Sequence, residues 1–476
     1  MKKWIKLSID VDYSPSDPGI NKWFCDRTSF EPADLVPGKI LPYKDSGGLF
    51  GVITVVRADA DAVVLRYGQS DFTLREDHPS AELDEGGRDY TRFYLNVWLS
   101  MVPVIEDSPA FYRQWTARAI RALTEEDIRV FRESELPAAK YVLGRWHSLM
   151  LPEGAASKAE AGRLLQEAAD AGVADAVLMR STLWATGDTA EDRMDLEESA
   201  RLRDRALGMG SILAQLRYAR NRVAGIWLAP EEPEAVVREI ETRLREEPDS
   251  LPEWYAILAY AHETLGHDKE AEEAYRKGIE AGCERCYGEL AEFCRERGRK
   301  EEFDKLMREG MRAGCGYCFT LGYFQSDEEF EAFEPSVKAH FVKTVVDWLE
   351  KGLALGEPIC AGVLGVFYVY GRFGLEKDWG KAARYLERGA LMGDSFCCSL
   401  LADLLEEGDV SGEDRRDAAV FRLRALRYGS SDPEVKEKML EAYRDGLLDR
   451  YQNEIEQYWL DDGEYPDDDG RYDAYA

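Results

Sequence analysis

Lys381-Ala382-Ala383-Arg384-Tyr385-Leu386-Glu387-Arg388-Gly389-Ala390-Leu391-Met392-Gly393, followed by the small Cys397 and by Leu401-Ala402, is the stretch that decides the fold. Its apolar and small positions recur at helical spacing, and Gly393 can end a helix in the left-handed conformation that glycine adopts at no steric cost. The same ending returns as Leu165 to Gly172, Ala206 to Gly210, Lys277 to Gly282, Glu309 to Gly314, Lys351 to Gly356 and Arg424 to Gly429. With Ser250 filling one missing place, the anchors fall at 172, 210, 250, 282, 314, 356, 393 and 429, separated by 38, 40, 32, 32, 42, 37 and 36 residues. A period near 36 that tolerates insertions implies stacked helix pairs.

Four residues after most anchors a small residue opens the next helix: Ala176, Ala214, Cys286, Cys360 and Cys397, with Ala139 in an earlier copy. Leu143-Gly144, Leu290-Ala291, Leu364-Gly365 and Leu401-Ala402 come next, where a small side chain lets the paired helix approach. On these residues the chain resembles Sel1-like repeats, which alternate an A-x-x-x-L-G first helix with a K-A-x-x-x-x-x-x-A-A-x-x-G second helix. The resemblance covers roughly residues 137 to 430. Trp254 to Gly282, with Leu265-Gly266-His267-Asp268-Lys269-Glu270-Ala271 and Ala274-Tyr275, is more similar to the sister tetratricopeptide repeat. Both families imply a right-handed α/α solenoid that binds proteins and scaffolds complexes. Trp254 departs from the pattern by taking a small-residue place, and around Tyr317 and Cys318 the register is ambiguous by one residue.

The N-terminal part reads differently. Phe50-Gly51-Val52-Ile53-Thr54-Val55-Val56-Arg57 and Ala62-Val63-Val64-Leu65-Arg66-Tyr67 flank a polar turn, and Phe72-Thr73-Leu74 and Thr91 to Leu99 continue the pattern of strands. A mostly antiparallel sheet or partly open barrel is expected. Gly47-Gly48 lacks the Lys-Ser/Thr and helix of a phosphate loop and reads as a turn. Ser108-Pro109 and Thr124-Glu125-Glu126-Asp127 are helix caps. The expected fold class is therefore α+β and multidomain: a β-rich domain over 1–107, a helical connector over 108–136, the solenoid over 137–446 and an acidic, disordered tail over 447–476.

Composition limits the chemistry. The 476 residues carry a net charge of −31, so phosphate backbones and anionic membranes are repelled unless basic residues cluster. No apolar run spans a bilayer, and Met1-Lys2-Lys3-Trp4-Ile5-Lys6 lacks the apolar start of a signal peptide, which points to the cytoplasm and to reduced cysteines. The five histidines (His78, His147, His262, His267, His340) have no metal spacing. Cys283-x-x-Cys286 followed by Cys315-x-x-Cys318 could suggest zinc, or a dithiol. Both pairs nevertheless begin one residue past a glycine anchor, and their second cysteine takes the place of Ala176 and Ala214, so packing is the preferred reading. No catalytic carboxylate pair stands out, and the expectation is a non-enzymatic protein without cofactors or metal.

In such solenoids the first helices line a concave groove. Counting from the small residue, positions one before and two, six and nine after should face it. This selects Tyr141, Arg145, Thr182, Arg220, Tyr260, Glu263, Glu292, Arg295, Phe319, Tyr323, Asp403 and Glu406 as partner-binding residues. The expected partner is a protein or peptide. The alternative is an acidic neutralising role toward a basic protein, as an immunity protein for a nuclease toxin or a nucleic-acid mimic, and a zinc-dependent enzyme ranks third. Tyr465, Tyr472 and Tyr475 would let the tail serve as a docking peptide for a basic partner. The sequence leaves the oligomeric state open.

Overall fold

The structure, a computed structural model, describes residues 2–15, 25–44, 50–59, 62–75, 77–88, 91–106, 108, 111–112, 114–115, 117–150, 155–224, 233–246, 251–321, 330, 334–407 and 412–460. It divides into two compact units: Met1–Glu106 with Leu123–Ser134, and Asp107–Ala122 with Glu135–Ala476.

In the first unit β1 (Lys2–Pro15), β2 (Cys25–Phe30), β7 (Ser80–Arg88) and β8 (Thr91–Pro103) form one antiparallel sheet in the order β2-β1-β8-β7. A second contains β3 (Ile40–Lys44), β4 (Phe50–Ala58), β5 (Ala62–Tyr67) and β6 (Ser70–Arg75) in chain order. The expected hairpin is β4–β5, with Val55 opposite Leu65 and a bulge before Arg57. Each sheet has one apolar face that must be covered. Ile53, Val55, Val63, Leu65 and Leu74 from one and Leu7, Ile9, Leu95, Val97 and Leu99 from the other share a single core, so the expected antiparallel β-rich part is built from two sheets.

The stretch 108–136 does not act as one connector. Helix α1 (Ala117–Arg121) belongs to the second unit and α2 (Glu125–Arg132) to the first. The start of α2 is fixed by reciprocal bonds, with Asp127 N–H donating to Thr124 Oγ1 at 3.2 Å and Thr124 N–H donating to Asp127 Oδ2 at 2.9 Å.

The second unit is a succession of helix pairs: α3 (Pro137–Met150) with α4 (Ala155–Asp170), α5 (Ala174–Thr186) with α6 (Leu196–Gly208), and α7 (Ile212–Ala224) with α8 (Pro233–Glu246). Next come α9 (Glu253–Thr264) with α10 (Asp268–Glu280), α11 (Arg285–Glu296) with α12 (Lys300–Ala313), and α13 (Gly316–Leu321) with α14 (Pro335–Ala354). The last are α15 (Pro358–Tyr370) with α16 (Trp379–Leu391) and α17 (Ser395–Leu405) with α18 (Gly412–Arg427), followed by α19 (Pro433–Arg444) and α20 (Gln452–Tyr458). The predicted glycine anchors all turn left-handed, from φ 83° at Gly210 and Gly393 to 99° at Gly172. The residue after each anchor bonds back to the helix, as Cys283 N–H does to the Gly278 carbonyl and Cys315 N–H to that of Gly310, both at 2.8 Å. Ser250 lies outside the described residues.

A size match joins consecutive pairs. A methyl built on Gly278, Gly310, Gly352 or Gly389 would fall 2.5, 2.3, 2.6 or 2.2 Å from the sulfur of Cys286, Cys318, Cys360 or Cys397, respectively. The absent Cβ is the notch that the cysteine fills. Where Ala176 and Ala214 stand in the cysteine's place, Ala168 and Ala206 stand in the glycine's, so a smaller intruder faces a larger host. All four of these alanines are buried.

The array also returns on itself. Arg427, at the end of α18, donates to Glu454 of α20 from Nε at 2.8 Å and Nη2 at 2.7 Å, and from Nη1 to Asp192 in the α5–α6 loop at 2.9 Å. Tyr451 donates to Asp192 at 2.7 Å, Tyr428 to Asp188 at 3.0 Å and Leu196 N–H to Tyr458 Oη at 3.4 Å. Arg427 lies against Gly187, and its side chain is 2% exposed. Residues 449–458, placed in the tail by the sequence, are instead helical. Leu448, Tyr451, Ile455 and Trp459 are buried at helical spacing, a stripe hidden by the acidic average of the segment. Residues 461–476, with Tyr465, Tyr472 and Tyr475, lie outside the described residues.

Candidate partner-binding face

First helices of neighbouring pairs touch each other, which places their outward rows on one face. The side chain one before the small residue lies on the position two after it in the preceding first helix. A methyl on Gly288 would meet Tyr317 Cδ1 at 2.5 Å, and one on Gly362 would meet Phe396 Cδ1 at 2.7 Å. Cys318, seated on Gly310, thereby resolves the ambiguous register: Tyr317 belongs to the face and Phe319 does not.

The middle of the face is a chain of polar contacts. Arg220 of α7 approaches Glu289 of α11 at 3.9 Å, and Arg285 holds the same carboxylate at 2.6 Å. Glu263 accepts from Tyr275 Oη at 2.6 Å and faces Arg297 at 3.9 Å; burial pushes its carboxyl above the usual range against these partners. Glu292 accepts from Arg295 at 2.6 Å and from the Tyr317 hydroxyl, whose own ionisation is pushed up by burial and by that carboxylate. Thr182 accepts from Arg217 at 3.1 Å, and half-buried Tyr260 packs on the cluster around Trp254. Farther along, Ile359 and Phe396 are 41% and 46% exposed.

Several expected residues are placed elsewhere. Tyr141 and Arg145 are buried because the segment before α1 covers them: the Tyr112 ring meets Tyr141 edge-on at 5.5 Å, and Arg145 donates to Tyr141 Oη at 3.3 Å and to the Trp115 carbonyl. Phe319 is buried against Gly352. Asp403 and Glu406 are exposed but engaged by Arg422 of α18 at 3.1 and 2.5 Å, and Asp403 also by Lys438 at 3.4 Å. Tyr323 lies outside the described residues. Arg285, Tyr317, Ile359 and Phe396 were open to the sequence argument, since each stands one before a cysteine of the repeat. Glu289 carried no such signal.

Cys283, Cys286, Cys294, Cys315, Cys318, Cys360, Cys397 and Cys398 are all buried free thiols. Among the described residues no group of three or more His, Cys, Asp or Glu side chains is arranged to hold a metal ion, and no helix is long and apolar enough to cross a membrane.

No family model matches the chain, and no curated protein matches it. Among solved structures it is similar to a Sel1 repeat protein from Oxalobacter formigenes, at 18% identity and a TM-score of 0.33 over 69% of this chain and 93% of that one. It is also similar to c5321, a protective antigen of uropathogenic Escherichia coli with an SLR fold, at 16% identity and a TM-score of 0.31 over 74% and 81% of the two chains. The TPR domain of P58(IPK) overlaps at 13% identity and a TM-score of 0.20 over 69% and 94%. These likenesses are too shallow to weigh, so the repeat architecture of the second unit stands on its own helix pairs, glycine turns and cysteine notches.

Proposed function

We propose that the protein is a non-enzymatic binding module whose first-helix face takes a protein or peptide partner. The observation that carries this reading is the row formed by Arg220, Tyr260, Glu263, Arg285, Glu289, Glu292, Arg295 and Tyr317. Charged and aromatic groups there are held in place by contacts from helix to helix, including Arg220 to Glu289 and Tyr317 to Glu292. Preorganised polar side chains with aromatic anchors favour an elongated ligand read by hydrogen bonds and stacking. The net charge of −31 favours a second reading, a neutralising partner for a basic protein.

A pull-down from the native host at low and high salt separates the two, comparing the wild-type chain with the Tyr260→Ala/Tyr317→Ala variant after its helix content has been checked. The face reading expects the variant to lose partners that the wild type keeps in salt. Partners retained by the variant but stripped by salt would support neutralisation instead, because exposed charges are screened beyond about 8 Å at physiological ionic strength.

A further inference from the structure

The chain does not pass directly from the first unit into the repeats. Asp107–Ala122 belongs to the second unit, Leu123–Ser134 to the first, and the second resumes at Glu135. Asp107–Ala122 is thus a detour that precedes the helix pairs and belongs to none of them. It lies on their first-helix face all the same. The Phe111 N–H donates to Ser108 Oγ and the Trp115 N–H to the Tyr112 carbonyl, both at 3.2 Å, turning the segment so that Phe111 and Trp115 are buried. The Tyr112 ring meets Tyr141 edge-on at 5.5 Å and the Trp115 carbonyl accepts from Arg145, at the places two and six after Ala139. In α11 and α15 the place two after the small residue, Gly288 or Gly362, is covered by Tyr317 or Phe396 of the next repeat; in α3 the detour supplies an aromatic cover.

The other end of the detour reaches a distant part of the same array. A methyl built on Gly356 would fall 2.1 Å from Arg121 Nη1, so the guanidinium lies on the corner between α14 and α15. Glu357 follows that corner, and its Cγ lies 2.1 Å from where a methyl on Gly316 would stand, next to the face residue Tyr317. Burial pushes the Glu357 carboxyl up, and Arg121, together with Arg285 of the face, opposes that rise.

We propose that Asp107–Ala122 is an internal ligand of the first-helix face, and that a protein partner takes its place by presenting the same chemistry, aromatic side chains followed by an arginine. The inference rests on the face reading and names the class of segment that the face accepts. Tyr112 and Trp115 set the aromatic end against Tyr141 and Arg145, and Arg121 sets the cationic end on the Gly356 corner beside Glu357.

The probe is a fluorescein-labelled synthetic peptide of residues 107–122, titrated against the full-length chain and read by anisotropy. In the wild type the tethered segment competes at an effective concentration on the order of 1 mM, so anisotropy should stay flat at micromolar peptide. The Tyr112→Ala/Trp115→Ala/Arg121→Ala chain should bind the peptide saturably, and should not bind a peptide carrying Arg121→Glu. Hydrogen exchange of the triple variant should show lost protection at residues 112, 115 and 119–121 while α9 to α12 keep theirs. Arg121→Glu alone, with the aromatic cover intact, should free the amides of α1 by placing a second negative charge beside Glu357. The proposal is overturned if the peptide binds wild type and triple variant alike, if the folded triple variant takes up no peptide at about 1 mM, if α1 stays protected in Arg121→Glu, or if α9 to α12 lose protection together with the segment. The titration needs no host partner, so its failure leaves the face reading standing. Retention of every host partner by the tyrosine variant would remove the face reading and leave a positive titration intact.

Discussion

The joints between repeats and the contact that closes the array solve the same packing problem with opposite materials. At a joint, a neutral sulfur fills the notch of a glycine eight residues earlier, as Cys397 does at Gly389. At the closure, a buried guanidinium is shared by carboxylates 235 and 27 residues away. A joint is local and repeated, so its failure should stay local. The closure occurs once and joins distant parts of the chain, so its failure should release both the α5–α6 loop and α20.

The closure should therefore show the largest effect. Arg427→Ala leaves Glu454, whose side chain is 4% exposed, and Asp192, at 17%, without their cation. Removing one partner of a buried ion pair costs about 3–5 kcal/mol, because the remaining charge stays buried. Hydrogen exchange should collapse in residues 188–196 and 452–458 while the amides of α10 to α12 keep their protection. Uniform loss of protection would show that the array unfolds as one body. Acid should open the same contact. Burial would raise the Asp192 carboxyl, but the Tyr451 hydroxyl and Arg427 overcome it and hold it below the ordinary 3.8. Its stabilisation is complete above the unfolded value and is lost as pH falls through the folded one. Exchange in 188–196 should accelerate below about pH 4 in the wild type, given ordinary aspartate ionisation, and Asp192→Asn should remove that acceleration.

This contrast also separates what the sequence made legible from what it did not. The glycine anchors and small residues follow from a period, and a period is visible in one chain. The same spacing selected Thr182, Arg220, Tyr260, Glu263, Glu292 and Arg295, and the proposal that they meet a partner rests on it. Tyr141 and Arg145 follow the same spacing, yet Tyr112 and Trp115 cover them, and no local pattern announces a cover. Phe319 was misplaced by a one-residue register ambiguity that only the seat of Cys318 on Gly310 resolves. The closure left no trace because Asp192, Arg427 and Glu454 are common charged residues whose meaning comes from meeting across the array.

The joint should be intermediate and, unlike the closure, repairable by a compensating change. Gly389→Ala places a methyl 2.2 Å from Cys397 Sγ and 3.1 Å from Ala361 Cβ, an overpacking of the kind that costs about 1–3 kcal/mol. Cys397→Ala alone removes the intruding sulfur and leaves a small void. The double variant recreates the Ala168–Ala176 and Ala206–Ala214 arrangement, so it should be more stable than the two single effects sum to, by a coupling of about 0.5–3 kcal/mol for contacting residues. Urea unfolding of the four proteins measures the cycle. Additive effects would mean that the alternation of Gly–Cys and Ala–Ala is not a size code.

The smallest effect belongs to the helix that brings Gly389 to its joint. Asp378 caps α16, accepting from the Lys381 N–H at 2.8 Å, and its own N–H donates to the Tyr368 carbonyl at 2.9 Å across the preceding corner. Asp378→Ala removes only the side-chain acceptor and should cost about 1 kcal/mol, whereas Asp378→Asn keeps an acceptor that ranks as well at this position and should cost almost nothing. The backbone bond to Tyr368 survives both changes, so hydrogen exchange should accelerate at Gly380 and Lys381 in the alanine variant and leave residue 378 protected. An equal loss in both variants would assign the stabilisation to the aspartate charge at the helix start rather than to the hydrogen bond. The joint would then depend on electrostatics as the closure does, and the contrast between the two regions would narrow.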